Sequence, residues 1–124
     1  MKKYTSWIVI IISVALIIGG MVWYSYEPGH YDTFATCIKN SGTTFFGAFW
    51  CPHCQEEKAL FGSSWKKLPY VECSTPDGAS QTEVCKQSNI ESYPTWQFKD
   101  GSRKTGTLSL EELSTFTGCP LTKD

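Results

Sequence analysis

The chain has 124 residues, of which 41% are hydrophobic, 15% aromatic and 19% charged, and its formal net charge is −1. This length allows one small domain, and the aromatic content is too high for a disordered chain. Lys2 and Lys3 precede every acidic residue, so the rest of the chain carries an acidic excess that disfavours binding to nucleic acid. The six cysteines indicate an oxidising compartment, a metal site or redox chemistry.

The N-terminal segment contains 17 residues without a charge, from Trp7 to Trp23. A helix of this length spans about 26 Å, which is close to the thickness of the hydrocarbon core of a bilayer. The preceding lysines predict a cytoplasmic N-terminus. A cleaved signal peptide is the alternative, but bulky aromatic residues follow where a small-residue cleavage site would lie. We expect a cytoplasmic tip over residues 1–6, an uncleaved transmembrane anchor over 7–24 and a linker over 25–30.

Beyond the linker, we expect one domain over residues 31–119 and a tail over 120–124. Local signals predict the element order α–β–α–β–α–β–β–α. The first four elements are a helix at 32–40 capped by Asp32, a buried strand at 43–49, a helix at 52–61 and a strand at 68–72. A helix follows that begins with a capping box over 80–83 and ends near Ser88. The last elements are a hairpin of strands at 96–99 and 103–107 and a helix that begins with a capping box over 109–112 and ends before Gly118. Parallel strands joined by helices and closed by an antiparallel hairpin describe a three-layer α/β/α sandwich.

The motif Cys51-Pro52-His53-Cys54 lies where the predicted central strand ends and a helix begins. Unpaired N–H groups and the helix dipole stabilise a thiolate at Cys51, and the spacing brings the two cysteines within disulfide distance. We expect Cys54 to be less exposed and to resolve mixed disulfides. Pro52 does not destabilise the helix in its first turn, because a backbone N–H at this position would have no partner within the helix. His53 is expected to place a donor or a positive charge near the Cys51 sulfur, which makes the disulfide more oxidising.

Other interpretations of the cysteines fit the sequence less well. A c-type haem site requires His directly after the second cysteine of the motif, where this chain has Gln55. A zinc site built from Cys51, Cys54, Cys73 and Cys85 lacks a second closely spaced pair, because eleven residues separate the last two. A purely structural disulfide across so short a loop adds little stability. We therefore expect a redox-active pair without a metal or a cofactor.

Two segments resemble the thioredoxin superfamily: FWCPHC at 49–54 is similar to its active-site run, and SYPT at 92–95 to its cis-proline loop. The resemblance covers about residues 31–118 and implies a thioredoxin-like fold. It also implies a cis bond between Tyr93 and Pro94 that faces Cys51, where both residues would offer backbone groups to a substrate. Trp50, directly before Cys51, either packs against the domain or contacts the substrate.

Within the superfamily, residues 47–54 and 68–73 are most similar to the thioredoxin-like domain associated with bacterial vitamin K epoxide reductase homologues. This resemblance implies an integral membrane partner linked to quinone. The chain departs from thioredoxin on the central strand, where Phe45 or Phe46 replaces the expected buried aspartate. Loss of that proton acceptor disfavours general reduction by the thioredoxin route.

The resemblance also implies that Cys73 and Cys85 pair. Their disulfide would either hold a turn-rich loop or act as a second redox pair that exchanges with the first. The pairing of Cys37 and Cys119 is left open: they could bridge, pair between molecules or stay reduced. In this fold, the first and last helices usually lie on opposite faces of the sheet.

The charged run at 56–58 is expected to form a solvated helix face, on which Glu57 or Lys58 could relay a proton.

Taken together, the sequence predicts a membrane-anchored thiol–disulfide oxidoreductase outside the cytoplasm. It would oxidise the thiols of exported proteins and be reoxidised by a quinone-linked integral membrane enzyme. An extracytoplasmic disulfide reductase and a redox-inactive binding module are the alternatives.

Overall fold

The computed structural model describes residues 2–26 and 28–124. The first helix, α1 (Lys2–Ser25), includes the apolar stretch Tyr4–Ser25, which is 22 residues long and has no part buried inside the protein. By length and composition, α1 is sufficient to cross a membrane, as the sequence predicts. The helix begins earlier than the predicted boundary at residue 7. Glu27, within the predicted linker, lies outside the described residues.

A mixed sheet of four strands organises the rest of the described chain. Its central strand β1 (Thr44–Gly47) pairs parallel with β2 (Tyr70–Glu72) and antiparallel with β3 (Thr95–Gln97). β3 in turn pairs antiparallel with β4 (Arg103–Thr105), so the order across the sheet is β2-β1-β3-β4. Each strand is shorter than its predicted segment, but the order and the pairing directions are those of the predicted α/β/α sandwich.

Helices pack on both faces of this sheet. They are α2 (Asp32–Asn40), α3 (Pro52–Leu60), α4 (Glu83–Gln87) and α5 (Leu110–Thr117), with a short 3₁₀ helix (Gly62–Lys67) that the sequence analysis did not predict. Phe45 and Phe46 are consecutive in β1, so their side chains point to opposite faces of the sheet. Phe45 belongs to the larger core with α2 and α5, whereas Phe46 belongs to a smaller core that includes Cys85 of α4.

The predicted helix caps are correct in one case and wrong in two. At α5, the Ser109 hydroxyl accepts from the Glu112 N–H and the Glu112 carboxylate accepts from the Ser109 N–H, which confirms the capping box. At α2, Tyr31 is the N-cap, and Asp32 is a helical residue whose carboxylate lies 3.2 Å from the Lys67 ammonium.

The capping box predicted over residues 80–83 is also wrong. The helix α4 begins at Glu83, and its N-cap Thr82 makes no side-chain cap hydrogen bond. Thr82 donates its hydroxyl to the Glu72 carbonyl instead, and the preceding residues form a paired loop: Gln81 bridges to Ser74. Tertiary pairing has therefore replaced the local cap.

Cys37 and Cys119 form a disulfide that joins residues 82 apart in the sequence, with their Cα atoms 5.8 Å apart. The expectation that the first and last helices of the domain lie on opposite faces is wrong here. Buried residues Ile38 of α2 and Leu113 of α5 belong to the same core as Cys119. Gly118 ends α5 in the left-handed conformation, with φ of 71°, and the chain then places Cys119 against α2.

Candidate active site

The first cysteine of the motif occupies the N-cap position of α3. Cys51 has an extended backbone, with φ of −77° and ψ of 119°, and Pro52 follows in the first turn of the helix. The Cys54 backbone N–H donates to the Cys51 sulfur over 3.4 Å. A sulfur that receives a backbone N–H at a helix N-terminus is placed to hold a negative charge. Cys51 is nevertheless only 5% exposed, so a substrate must approach it along one side.

The second cysteine is completely buried against the central strand. A Cβ atom on Gly47 would lie 3.0 Å from the Cys54 sulfur and 2.9 Å from the Tyr70 ring, so only glycine lets that sulfur approach β1. Burial, followed by hydrogen bonding to Cys51, raises the pKa of Cys54 to about 12. Cys54 therefore stays protonated at neutral pH.

The cis-proline loop lies directly beside Cys51. The bond between Tyr93 and Pro94 is cis, and the Cys51 thiol donates to the Tyr93 carbonyl over 3.7 Å. Pro94 is buried, and its own carbonyl accepts from the Gly106 N–H over 3.0 Å. Of the two residues that the resemblance implies for substrate contact, Tyr93 is thus the one whose backbone carbonyl faces the reactive sulfur.

Trp50 lies on the surface next to this sulfur. Its side chain is half exposed, and its indole N–H donates to the Ser74 hydroxyl over 2.9 Å. The indole ring is 6.0 Å from the Tyr93 ring in an edge-to-face arrangement. About half of the Trp50 side chain thus packs against the domain, and the other half is free to contact a substrate.

The predicted contact between His53 and the Cys51 sulfur is not formed in the part of the chain that the structure describes. The His53 ring is exposed, and its Nδ1 atom lies 3.0 Å from a carboxylate oxygen of Glu56. The reason is the helix geometry: residues i and i+3 face each other on the surface, and a carboxylate attracts the imidazole away from the N-cap.

The prediction of a solvated face over residues 56–58 is wrong for two of its three members. Glu57 is completely buried, because it lies one turn after Cys54 and one turn before Phe61 on the buried side of α3. Its carboxylate accepts from the Leu108 N–H over 2.8 Å, and burial raises its pKa to about 7. Lys58 is partly buried, with its ammonium 3.8 Å from the centre of the Tyr70 ring. The proton-relay role stays a prediction for both.

Comparison with known proteins agrees with the geometry. The family model described as Thioredoxin matches residues 30–117. The chain belongs to the thioredoxin family. A relative from Arabidopsis thaliana, thiol-disulfide oxidoreductase LTO1, is 39% identical over 89 residues, which cover 68% of this chain. The match covers 23% of LTO1, so this chain spans about a quarter of that relative's length.

This thioredoxin-family chain has no acidic residue on β1. Phe45 is stacked on Trp96 with ring centres 4.5 Å apart, and it meets the Tyr70 ring edge-on at 5.2 Å. An aromatic cluster thus occupies the position where the resemblance leads one to expect a buried carboxylate. The Tyr70 hydroxyl donates to the Glu72 carboxylate over 2.7 Å, and the sequence alone assigned neither residue a role in the site.

Cys73 and Cys85 form a disulfide, and both residues are completely buried. Tyr93 packs against their core and also against the core that contains Cys51 and Cys54. The cores that contain the two cysteine pairs therefore share one aromatic contact, Tyr93. The disulfide between Cys73 and Cys85 closes the segment between β2 and α4, which favours the loop-holding role over exchange with the first pair.

Proposed function

We propose that the chain is a membrane-anchored thiol–disulfide oxidoreductase that acts outside the cytoplasm and oxidises the thiols of exported proteins. The observation that carries this proposal is the position of Cys51, an N-cap residue whose sulfur receives a backbone N–H and adjoins the Tyr93 carbonyl. The half-exposed Trp50 beside it offers a surface for the polypeptide around a substrate cysteine.

The proposed reaction transfers two electrons from a substrate dithiol to the Cys51–Cys54 disulfide. A substrate thiolate attacks the Cys51 sulfur and forms a mixed disulfide, while the bond to Cys54 breaks. Cys54 leaves as a thiolate and takes up a proton, as its raised pKa requires. The second substrate thiolate then attacks the substrate sulfur of the mixed disulfide. The substrate leaves oxidised, and Cys51 is released as a thiolate.

We propose that a quinone-linked integral membrane enzyme, a vitamin K epoxide reductase homologue, reoxidises the pair. Helix α1 supports this proposal, since an anchor in the same membrane raises the effective concentration of such a partner. The name of the Arabidopsis relative supports thiol–disulfide exchange as the reaction. The aromatic residue at position 45 supports the oxidising direction, because the proton acceptor that favours reduction by the thioredoxin route is missing.

A trapping experiment tests the reaction. The full-length Cys54→Ser variant, in detergent micelles and activated at Cys51 with a thiol-reactive disulfide reagent, is mixed with an unfolded protein that has a single cysteine and therefore no second thiol to resolve the mixed disulfide. We expect a stable mixed disulfide through Cys51 that dithiothreitol releases, and we expect none with Cys51→Ser. Equal trapping by both variants, or trapping by neither, would exclude the mechanism.

The direction of electron flow is tested by the reduction potential of the Cys51–Cys54 pair. We expect a value closer to the ≈ −120 mV of a strong disulfide donor than to the ≈ −270 mV of thioredoxin. Equilibration of the full-length chain with glutathione redox buffers, followed by mass spectrometry, gives the value. A potential near that of thioredoxin would favour the reductase alternative and leave the exchange chemistry intact.

A further inference from the structure

The 73–85 loop runs from the end of β2 into the first turn of α4, and both a disulfide and backbone hydrogen bonds close it. The disulfide joins its ends, Cys73 and Cys85. Inside the disulfide, the Thr82 N–H donates to the Cys73 carbonyl over 2.8 Å, and Ser74 forms an antiparallel bridge with Gln81. The two arms of the 73–85 loop are thus fixed relative to each other, close to where they meet the sheet.

Each arm of this loop holds one aromatic residue of the candidate active site. Ser74, which is buried, accepts the indole N–H of Trp50 over 2.9 Å. Gln81 donates its amide to the Tyr93 hydroxyl over 2.7 Å and to the Ile90 carbonyl over 2.7 Å. Because Ser74 and Gln81 are bridged to each other, one rigid frame sets the positions of both aromatic rings.

The loop also covers part of the exposed surface beside Trp50. A Cβ atom on Gly78 would lie 3.7 Å from the Trp50 indole and 3.8 Å from the Phe49 ring. Phe49 and Trp50 are 46% and 53% exposed, so most of the remaining aromatic surface is free to contact another molecule. Aromatic side chains held rigidly at a surface bind apolar groups with little loss of conformational entropy.

We infer that Ser74 and Gln81 are positioning residues that adapt the site to polypeptide substrates with an apolar residue next to the reacting cysteine. This inference rests on the proposed function. The 73–85 loop holds the Trp50 and Tyr93 rings edge-to-face beside Cys51, and the rings receive the apolar residue while the sulfurs exchange. Small dithiols do not reach the rings, so the frame contributes nothing to their oxidation.

The test compares two substrates of the oxidised full-length chain in detergent micelles. One is a peptide dithiol with phenylalanine next to a cysteine, and the other is dithiothreitol. We expect Ser74→Ala to raise the KM for the peptide about fivefold with little change in kcat, the factor that corresponds to a hydrogen bond of about 1 kcal/mol. The ratio of the two kcat/KM values, peptide over dithiothreitol, should fall by the same factor.

Two further variants test whether the hydrogen bonds of the loop to the aromatic rings cause the change in this ratio. Asp77→Ala is the matched control, because among the described residues the Asp77 carboxylate accepts only from Thr75 and Ala79, at the tip of the same loop. Its ratio should equal that of the wild type. Tyr93→Phe removes the hydrogen bond to Gln81 from the other side and leaves the bond between Gln81 and Ile90 in place. It should therefore lower the ratio in the same direction as Gln81→Ala.

A spectroscopic readout separates positioning from general loss of structure. With 5-fluorotryptophan incorporated, the ¹⁹F resonance of Trp50, identified by its absence in Trp50→Phe, should shift in Ser74→Ala and stay unchanged in Asp77→Ala. An unchanged resonance, or equal losses of activity on both substrates, would overturn the inference and leave the proposed function standing. A wild-type chain that oxidises neither substrate would overturn the proposed function and the substrate class with it.

Discussion

Tyr93 packs against the cores of two cysteine pairs, and burial alone does not distinguish these pairs. Cys51 and Cys54 are free thiols and Cys73 and Cys85 form a disulfide, yet none of the four is more than 5% exposed. A classification by exposure would make all of them structural. Their different roles must come from the groups that each sulfur faces.

The backbone around each pair provides that difference. The Cys51 sulfur also faces a carbonyl, that of Tyr93 at 3.7 Å, but in addition it receives a backbone N–H at the start of a helix. The sulfurs of Cys73 and Cys85 lie 3.9 Å and 4.0 Å from the carbonyl oxygens of Val71 and Glu72. An N–H dipole stabilises a thiolate, whereas a carbonyl oxygen opposes it. The backbone N–H at the helix start, more than access, is what makes the first pair suitable for redox chemistry and the second suitable for holding a loop.

The largest effect that we expect is within the first pair itself. With its pKa raised to about 12, the Cys54 thiol should react with iodoacetamide at pH 8 about a thousandfold more slowly than an ordinary exposed thiol. Peptide mapping by mass spectrometry of the reduced full-length chain, sampled over time, measures the rate at Cys51 and Cys54 separately. Similar rates at both positions would show that the helix start does not separate them.

The two pairs should also differ in what their removal costs the fold. Loss of the second disulfide in Cys73→Ala/Cys85→Ala should lower the free energy of unfolding by about 3 kcal/mol, since it frees a loop of about a dozen residues. With the first pair reduced and the other two disulfides intact, Cys51→Ala/Cys54→Ala should cost about 1 kcal/mol, because only two small side chains are lost. Denaturant unfolding followed by near-ultraviolet circular dichroism measures both. Equal losses would contradict the division of roles.

Glu57 makes the helix of the first pair sensitive to pH. Its folded-state pKa, about 7, lies above the ordinary value of 4.5, so the folded chain binds its proton more tightly and loses stability as pH rises through this window. Between pH 5 and 8 the wild type should lose about 2 kcal/mol more than Glu57→Gln. Parallel profiles of unfolding free energy against pH for the two proteins would show that the carboxyl is not perturbed.

The smallest effect is expected at His53. Because its ring is exposed and pairs with Glu56, His53→Ala should change the rate of thiol exchange by less than about threefold. Glu56→Gln serves as the partner control and should allow the imidazole to turn toward Cys51. Stopped-flow measurement of exchange with a small dithiol gives both rates. A tenfold loss in His53→Ala would restore the direct role that the motif suggests.

The motif and the fold were predictable from short patterns, because each pattern is local. The Cys51 motif and the capping box at Ser109 each depend on a few consecutive residues, and the structure has the strands and helices in the predicted order. The cis bond before Pro94 was implied by the resemblance to the thioredoxin superfamily. The burial of Glu57 could also have been predicted from the sequence. Its spacing from Cys54 and from Phe61 is that of one helix face, and this periodicity outweighs the charge of the run in which it lies.

Contacts between distant segments could not be predicted in the same way. Ser74 and Gln81 are ordinary polar residues in a turn-rich loop, and no local pattern connects them to Trp50 or Tyr93. The false capping box over residues 80–83 has the same origin. The residues over 80–83 could have formed the cap hydrogen bonds among themselves. In the structure, Gln81 pairs with Ser74 across the loop instead.

The sequence by itself determined an apolar N-terminal helix, an α/β/α domain and the Cys51–Cys54 motif at a helix start, because periodicity and backbone geometry act over a few residues. Only the tertiary structure decided that Cys37 bridges to Cys119, that the His53 ring pairs with a carboxylate and that a second disulfide frames the aromatic surface beside the site. These depend on which surfaces meet when the helices pack on the sheet. That outcome is set by side-chain volume and burial across the whole domain.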